Sequence, residues 1–130
     1  MEKDNINPWD WQDMFGFSQA WTIENPGTVI EVSGQTSTNK KAEVLHKNDF
    51  TAQTRQVFEN MRTVLDESGA NFEDVVKLQA FITDSKFVEE YGNVQSEFFP
   101  GESPAQTLLV VKSLALPELM VEVEATAYTE

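Results

Sequence analysis

The chain has 130 residues, of which 40% are hydrophobic, and this size and composition predict one globular domain with a single core. It contains no cysteine and one histidine, His46, which excludes disulfides, cysteine nucleophiles and metal sites made of thiolates or several imidazoles. We therefore predict no metal site and no cofactor. No apolar run approaches the roughly 18 residues that a membrane span needs, so we expect no membrane partner.

The net charge of −13 bears on the choice of partner. Nine Lys and Arg residues are scattered among 22 Asp and Glu residues. Phosphate backbones bind to clustered cations, so this balance disfavours nucleic acid as a partner. The first residues are polar and have no apolar run behind them, which predicts a cytoplasmic protein without a secretory signal.

The N-terminal part of the chain divides into an extension and the beginning of a domain. Residues 1–14 show no clean period and are expected to be an N-terminal extension, with one domain over 15–130. Two strands are predicted at about 17–23 and 28–33, joined by the turn sequence Asn25-Pro26-Gly27.

The first helix has a start signal and a stop signal. After a polar loop, Asp49 or Thr51 can cap a helix that continues to about Ser68, with Gly69 as its C-terminal stop. Its apolar residues recur at helical spacing. A strand is predicted to follow at Val75–Thr83.

The second helix and two further strands complete the pattern. Asp84 or Ser85 can cap a helix that extends to about Phe98, and strands follow at Thr107–Val111 and Met120–Tyr128. The order β-β-α-β-α-β-β predicts an α+β domain with one mixed sheet and both helices on one of its faces.

Several motifs resemble one known family when they are taken in order. The C-terminal third carries a Phe-Phe-Pro turn, a Pro-Ala-Gln-Thr segment and a closing Val-Glu-Val-Glu-Ala strand, and earlier blocks match as well. The matching segments are Phe17–Ala20, Val32–Thr36, Gln53–Gly69, Asp74–Lys77, Phe81–Asp84, Phe98–Thr107 and Val121–Ala125. Together they cover most of residues 15–127, and they resemble the reactive-intermediate deaminase family (Rid, or YjgF-like proteins).

The resemblance implies a chorismate-mutase-like fold and a homotrimer with small-molecule pockets between its subunits. It further implies that imines or enamines are hydrolysed in these pockets. It also implies roles for particular residues. Glu122 matches the family glutamate that positions the attacking water. The implied substrate-binding positions are Phe17, Ser33, Gly34, Gly92, Gln106 and Thr107.

Three of these positions depart from the family pattern. Gln106 stands where the family has the arginine that grips the substrate carboxylate, Phe17 stands for a tyrosine, and Gly92 stands for an asparagine. A guanidinium holds a carboxylate bidentately with permanent charge, whereas a glutamine amide is uncharged. We therefore expect little or no 2-aminoacrylate deamination. Gln106 indicates either a changed, neutral ligand or a site without catalysis.

The closing strand carries the candidate catalytic base. Side chains alternate along a strand, so Val121 and Val123 face the core while Glu122 and Glu124 face the other way, roughly 7 Å apart. As a general base, Glu122 needs a pKa raised toward neutrality by burial or by its carboxylate neighbour. Glu124 is equally well explained as part of a solvated acidic face.

Two functional readings remain open. The first is an imine or enamine hydrolase, and the second is a non-catalytic trimer that binds a metabolite or has a regulatory role. The aromatic residues Trp9, Trp11, Phe15 and Phe17 form either a lid over a ligand or, as the sequence favours, a cover for a core edge or a subunit contact.

Overall fold

The computed structural model describes all 130 residues. It contains six strands and two α-helices, which confirms the α+β prediction. In chain order these are β1 (Glu2–Ile6), β2 (Ala20–Glu24), β3 (Thr28–Gln35), α1 (Phe50–Glu67), β4 (Val75–Ile82), α2 (Val88–Phe98), β5 (Ala105–Val110) and β6 (Val121–Thr129). Single 3₁₀ turns lie at Trp11–Phe15, Phe72–Asp74 and Ser85–Phe87.

The main sheet has four strands in the order β3-β6-β4-β5. Strand β6 is antiparallel to both β3 and β4, whereas β5 is parallel to β4, so the sheet is mixed as predicted. Helix α2 forms the crossover that a parallel pair requires. Strands β3 and β5 are the two edges of this sheet.

The N-terminal strands form a separate ribbon, which the sequence did not predict. Strand β1 pairs with β2, and β3 pairs with β6, so Asn25-Pro26-Gly27 connects two sheets. Strand β1 is polar except for its last residue, Ile6, and lacks the apolar alternation that identifies a strand in a sequence. The ribbon is tied to the main sheet where Ser18 N donates to Pro104 O at 2.9 Å, next to the start of β5.

The first helix confirms its predicted limits. Asp49 accepts a hydrogen bond from Ala52 N at 3.0 Å, and Gly69 takes the left-handed φ of 78° that follows the last turn. The second helix begins later than predicted. Asp84 caps the short 3₁₀ turn by accepting from Lys86 N, and the α-helix itself starts at Val88.

The core lies between the two helices and one face of the sheet. Its residues are apolar at alternate positions of the central strands and on the inner face of α1: Val57, Phe58, Met61, Leu65, Leu78, Ala80, Ile82, Val121 and Val123, none of which is exposed. The other face of the sheet carries Lys77, Gln79, Phe81, Thr107, Leu109, Glu122 and Glu124, and we call it the open face. Neither helix is long and apolar enough to cross a membrane.

Candidate functional site

A cleft lies between the 3₁₀ turn Trp11–Phe15, helix α2 and strand β5. Its volume is about 900 Å³, and it brings together Phe17, Gly92 and Gln106, three of the predicted substrate-binding residues. A second cleft, of about 520 Å³ beside the N-terminal ribbon, contains none of the predicted site residues. The first cleft is therefore the place where a ligand would meet Gln106.

The Gln106 amide is the centre of a hydrogen-bond chain. The Tyr91 hydroxyl donates to Gln106 Oε1 at 2.6 Å, and Gln106 Nε2 donates to Gln95 Oε1 at 2.8 Å. Gln95 Nε2 then donates to Gly16 O at 3.0 Å. The chain links β5, α2 and the end of the 3₁₀ turn, so the amide at position 106 has a fixed orientation.

This network is made of neutral groups and supplies no cation to the cleft. Burial raises the pKa of Tyr91 far above its usual range, so the hydroxyl stays protonated and acts as a donor. The only basic residue along the cleft is Lys86, whose ammonium lies 4.0 Å from Asp84 Oδ2 and against the ring of Phe87. The Gln106 amide keeps one N–H donor and one acceptor lone pair beyond its two bonds, since a primary amide has two of each.

Glu122 lies on the open face, beside an irregularity in strand β3. The pairing of β3 with β6 shifts between Val32 and Gln35, so Ser33 and Gly34 together stand opposite a single residue of β6. This is a β-bulge, a feature that frequently re-aims side chains next to active sites.

Gly34 makes room for the Glu122 side chain. A Cβ built on Gly34 would lie only 2.8 Å from Glu122 Cδ and would overlap the carboxylate. Gly34 does not have a positive φ, so the backbone conformation does not call for glycine here. The absence of a Cβ instead leaves the space in which the Glu122 carboxylate lies, and a side chain at position 34 would displace that carboxylate.

The electrostatics of Glu122 suit a proton acceptor. Burial raises its pKa above the ordinary value of 4.5, and the negative charge of Glu124 raises it further. Glu122 is half-buried, and its carboxylate makes no hydrogen bond or ion pair within the chain. It is thus a carboxylate with a perturbed pKa and free lone pairs, as a general base requires.

The predicted site residues fall into two groups within one chain. Phe17, Gly92 and Gln106 line the cleft, whereas Glu122 and the Ser33–Gly34 bulge belong to the open face. Thr107 is exposed on the open face, but β4 separates it from β6, a distance of about 10 Å at ordinary strand spacing. Gln106 and Thr107 are neighbours on β5 and so point to opposite sides of the sheet.

Sequence reasoning missed the two residues that hold Gln106. The sequence pattern singles out neither Tyr91 nor Gln95 as a polar partner. The available signal was their spacing of one helical turn, combined with the need of a buried tyrosine hydroxyl for a partner. No three His, Cys, Asp or Glu side chains converge in a way that could hold a metal ion.

Comparisons with known proteins agree with this fold. The model of the family described as Endoribonuclease L-PSP matches residues 12–129. A RutC family protein from Pyrococcus abyssi is 33% identical over 114 residues, which are 88% of this chain and 87% of the relative.

Two crystal structures show the same architecture. YyfB from Yersinia pestis, a protein of unknown function in the conserved Rid family, has a TM-score of 0.89 and 31% identity over 99% of this chain and 100% of its own. RidA from the Antarctic bacterium Psychrobacter sp. has a TM-score of 0.73 and 28% identity over 87% of this chain and 88% of its own. The chain therefore belongs to the Rid (YjgF-like) family.

Proposed function

We propose that the protein is a homotrimer in which each small-molecule site combines the cleft of one subunit with the Glu122 region of the next, and that this site hydrolyses an imine or enamine. The observation that carries the proposal is the Glu122 carboxylate, which is unpaired, has a raised pKa and is seated against Gly34. In a single chain the cleft and this carboxylate lie on different sides of β5, so a small ligand reaches both only when a second copy contributes.

The proposed reaction uses Glu122 as the general base. A water molecule adds to the carbon of the C=N bond while one of its protons passes to the Glu122 carboxylate. The π electrons of the C=N bond move to the nitrogen, which takes a proton from solvent. The resulting carbinolamine then collapses: the C–N bond breaks, the amine leaves with the proton that Glu122 returns, and the hydroxyl proton passes to solvent as the carbonyl forms. An enamine enters the same sequence after protonation at carbon gives the imine.

The substrate of this reaction is not expected to be an anion. Gln106 offers an uncharged amide, Lys86 already lies beside Asp84, and the background charge is −13. A hydrogen bond to a charged group contributes about 1.5–3 kcal/mol against about 1 kcal/mol for a neutral pair, so the loss of the arginine weakens carboxylate binding. We therefore expect 2-aminoacrylate turnover to be absent or very weak.

A second candidate function is a non-catalytic trimer that binds or senses a metabolite. The observation that favours it is the hydrogen-bond chain from Tyr91 through Gln106 to Gln95, which engages the amide within the fold. Ligand binding without turnover, unchanged by Glu122→Gln, would support this candidate over the hydrolase.

Ribonuclease activity, which the family description names, is disfavoured by charge. Four of the nine basic residues, Lys47, Arg55, Arg62 and Lys86, lie within 4.0 Å of a carboxylate. Phosphate binding scales with the number of cations that neutralise it. We expect no measurable RNA binding at physiological salt, which a gel-shift or anisotropy titration would check.

The central experiment measures mass and turnover on the same preparation. Light scattering should give three times the chain mass, and a monomer mass would contradict the trimer. The protein is then screened against simple imines and 2-aminoacrylate, with ammonia release as the readout, beside Glu122→Gln and Gln106→Arg. Turnover of 2-aminoacrylate by the unmodified protein at the rate of an arginine-bearing relative would show that the missing cation does not matter.

A further inference from the structure

An aromatic wall forms one side of the cleft, opposite the polar groups of α2 and β5. We use this name for Trp11, Phe15 and Phe17. Trp11 meets Phe15 and Phe17 edge to face, with ring centres 6.2 Å and 5.7 Å apart. Trp11 and Phe15 are each 52% exposed, although their rings border a concave surface. Contiguous exposed apolar surface is typical of ligand-binding grooves and of subunit contacts, and the concave shape favours the groove.

Hydrogen bonds hold the 3₁₀ turn that carries the aromatic wall. Gln12 is 1% exposed; its Nε2 donates to Trp9 O at 2.9 Å, and its Oε1 accepts from Gln19 Nε2 at 3.3 Å. At the other end of the turn, Gly16 adopts a φ of 73°, and its carbonyl accepts from Gln95. These contacts fix the turn that presents the rings.

The same residue, Gln95, bonds both the end of the aromatic wall and the Gln106 amide. The distance between the apolar wall and the polar group is therefore set by the fold before a ligand arrives. A ligand that suits both must carry a ring and a polar head in one rigid unit, because a preorganised site favours a preorganised ligand.

We propose that the cleft is a specificity pocket for an aromatic ring that bears an uncharged amide-like or imine-like head. This inference rests on the proposed use of the cleft as the substrate site. The ring packs on Trp11 and Phe15, and the head takes the remaining N–H donor and acceptor of Gln106.

Charge separates this ligand from its ionised analogues. An anionic head finds no cation in the Tyr91–Gln106–Gln95 network, and the one basic residue of the cleft, Lys86, is an exposed side chain 4.0 Å from Asp84. A cationic head finds no carboxylate within the Tyr91–Gln106–Gln95 network; the acidic residues of the cleft, Asp13 on the 3₁₀ turn and Glu89 on α2, have exposed side chains. Desolvating an unpaired charge is costly, so the uncharged head is favoured.

The test uses three ligands of one shape that differ in charge: neutral benzamide, anionic benzoate and cationic benzamidine. Acetamide, which has the amide but lacks the ring, is the fourth ligand. Two-dimensional ¹H–¹⁵N NMR titrations of the intact protein at constant ionic strength give each dissociation constant. We expect benzamide to shift the Gly16, Gly92 and Gln106 signals and to bind about tenfold more tightly than the other three, a difference near 1.4 kcal/mol.

Variants assign the effect to the wall and the head. Trp11→Ala should weaken benzamide about 3–10-fold, as expected for one lost aromatic contact, and Phe15→Leu, which keeps apolar volume, should weaken it less. Trp9→Ala is the matched control, because Trp9 does not border the cleft. Gln106→Arg should reverse the order of benzamide and benzoate.

Several results would overturn the inference. Tighter binding of benzoate or benzamidine than of benzamide would contradict the preference for an uncharged head. Equal binding of acetamide and benzamide would show that the ring does not contribute to binding. A Trp11→Ala protein that loses its trimer mass would show that the wall is a subunit contact instead. Imine turnover that requires Glu122 but is unchanged by Trp11→Ala would support the hydrolase and contradict this pocket. Benzamide binding that depends on Trp11, without any turnover, would support the pocket and contradict the hydrolase.

Discussion

The two polar regions on either side of β5 differ in how their hydrogen-bonding groups are used. In the cleft, the groups of Tyr91, Gln106 and Gln95 bond to one another and to the backbone. On the open face, the Glu122 carboxylate bonds to no group of the chain and has a raised pKa. The polar groups of the cleft are thus mostly bonded to one another, apart from the remaining donor and acceptor of Gln106, while the open face holds a carboxylate whose lone pairs are free.

This difference indicates which part of the site has changed and which has been kept. In the proposed site, ligand binding depends on position 106, where an amide built into the fold stands in place of the cation that the family pattern leads one to expect. Proton transfer in the same proposal depends on position 122, where the carboxylate and its glycine neighbour resemble the family pattern. A changed ligand with a retained base is the simplest physical account of both regions.

The largest expected effect comes from Glu122→Gln. The amide keeps the size of the carboxylate but cannot accept the proton of water, so the rate on a true substrate should fall about 10²–10⁴-fold. The raised pKa of Glu122 means that its ionised form costs stability above its unfolded-state pKa, so the variant should be at least as stable at pH 7. Steady-state kinetics and thermal melts at pH 7 measure both quantities.

Glu124→Gln serves as the control for that comparison. At pH 7 its effect on the rate should be small, because Glu124 acts only through the charge that it places near Glu122. If both variants lost activity equally, the open face would be needed as a charged surface and not for one base.

The second effect concerns the fit between Gly34 and Glu122. In Gly34→Ala the added methyl overlaps the Glu122 carboxylate, which is the far end of a flexible and half-buried side chain, so the cost in the free energy of unfolding should be at the low end of overpacking, about 1 kcal/mol. Urea denaturation should show this loss, and the double variant Gly34→Ala/Glu122→Ala should recover most of the cost that the methyl adds.

Gly92→Ala is the matched addition of a methyl group on the cleft side. A Cβ at Gly92 meets nothing within 4 Å, and the residue lies inside α2, so the helix propensity of alanine should stabilise the protein by up to about 1 kcal/mol. Equal destabilisation by the two methyl groups would contradict the specific fit on the open face.

The sequence predicts the helices and strands better than it predicts the contacts between them. The limits of α1 were readable because Asp49 and Gly69 act locally, and the alternation along β6 correctly placed Glu122 away from the core. Strand β1 was missed because its pairing with β2 depends on the backbone and not on an apolar period. The network of Gln106 was missed because it depends on which side of β5 faces α2.

The third effect tests whether the cleft is internally satisfied. Tyr91→Phe removes the donor to Gln106 Oε1, and the loss of one such hydrogen bond costs about 0.5–1.5 kcal/mol. Denaturation should detect the loss, and the side-chain amide signals of Gln106 should shift. Tyr128→Phe is the control on the open face, where the tyrosine is half-buried and makes no side-chain hydrogen bond. An equal cost for both variants would show that Tyr91 contributes nothing specific.

The smallest effect is a shift in pH dependence, and it isolates the electrostatic part of the open face. If ionised Glu122 is the base, activity should fall as the pH drops through its raised pKa, so the acid limb of kcat/KM should lie above that of an ordinary glutamate. Burial is the larger cause of the raised pKa and the charge of Glu124 is the second. Glu124→Gln should therefore move the acid limb to lower pH, although the limb should still lie above that of an ordinary glutamate. Added salt should move it in the same direction, because it screens the repulsion between the two carboxylates. A limb that neither Glu124→Gln nor salt moves would mean that the titrating group is not Glu122.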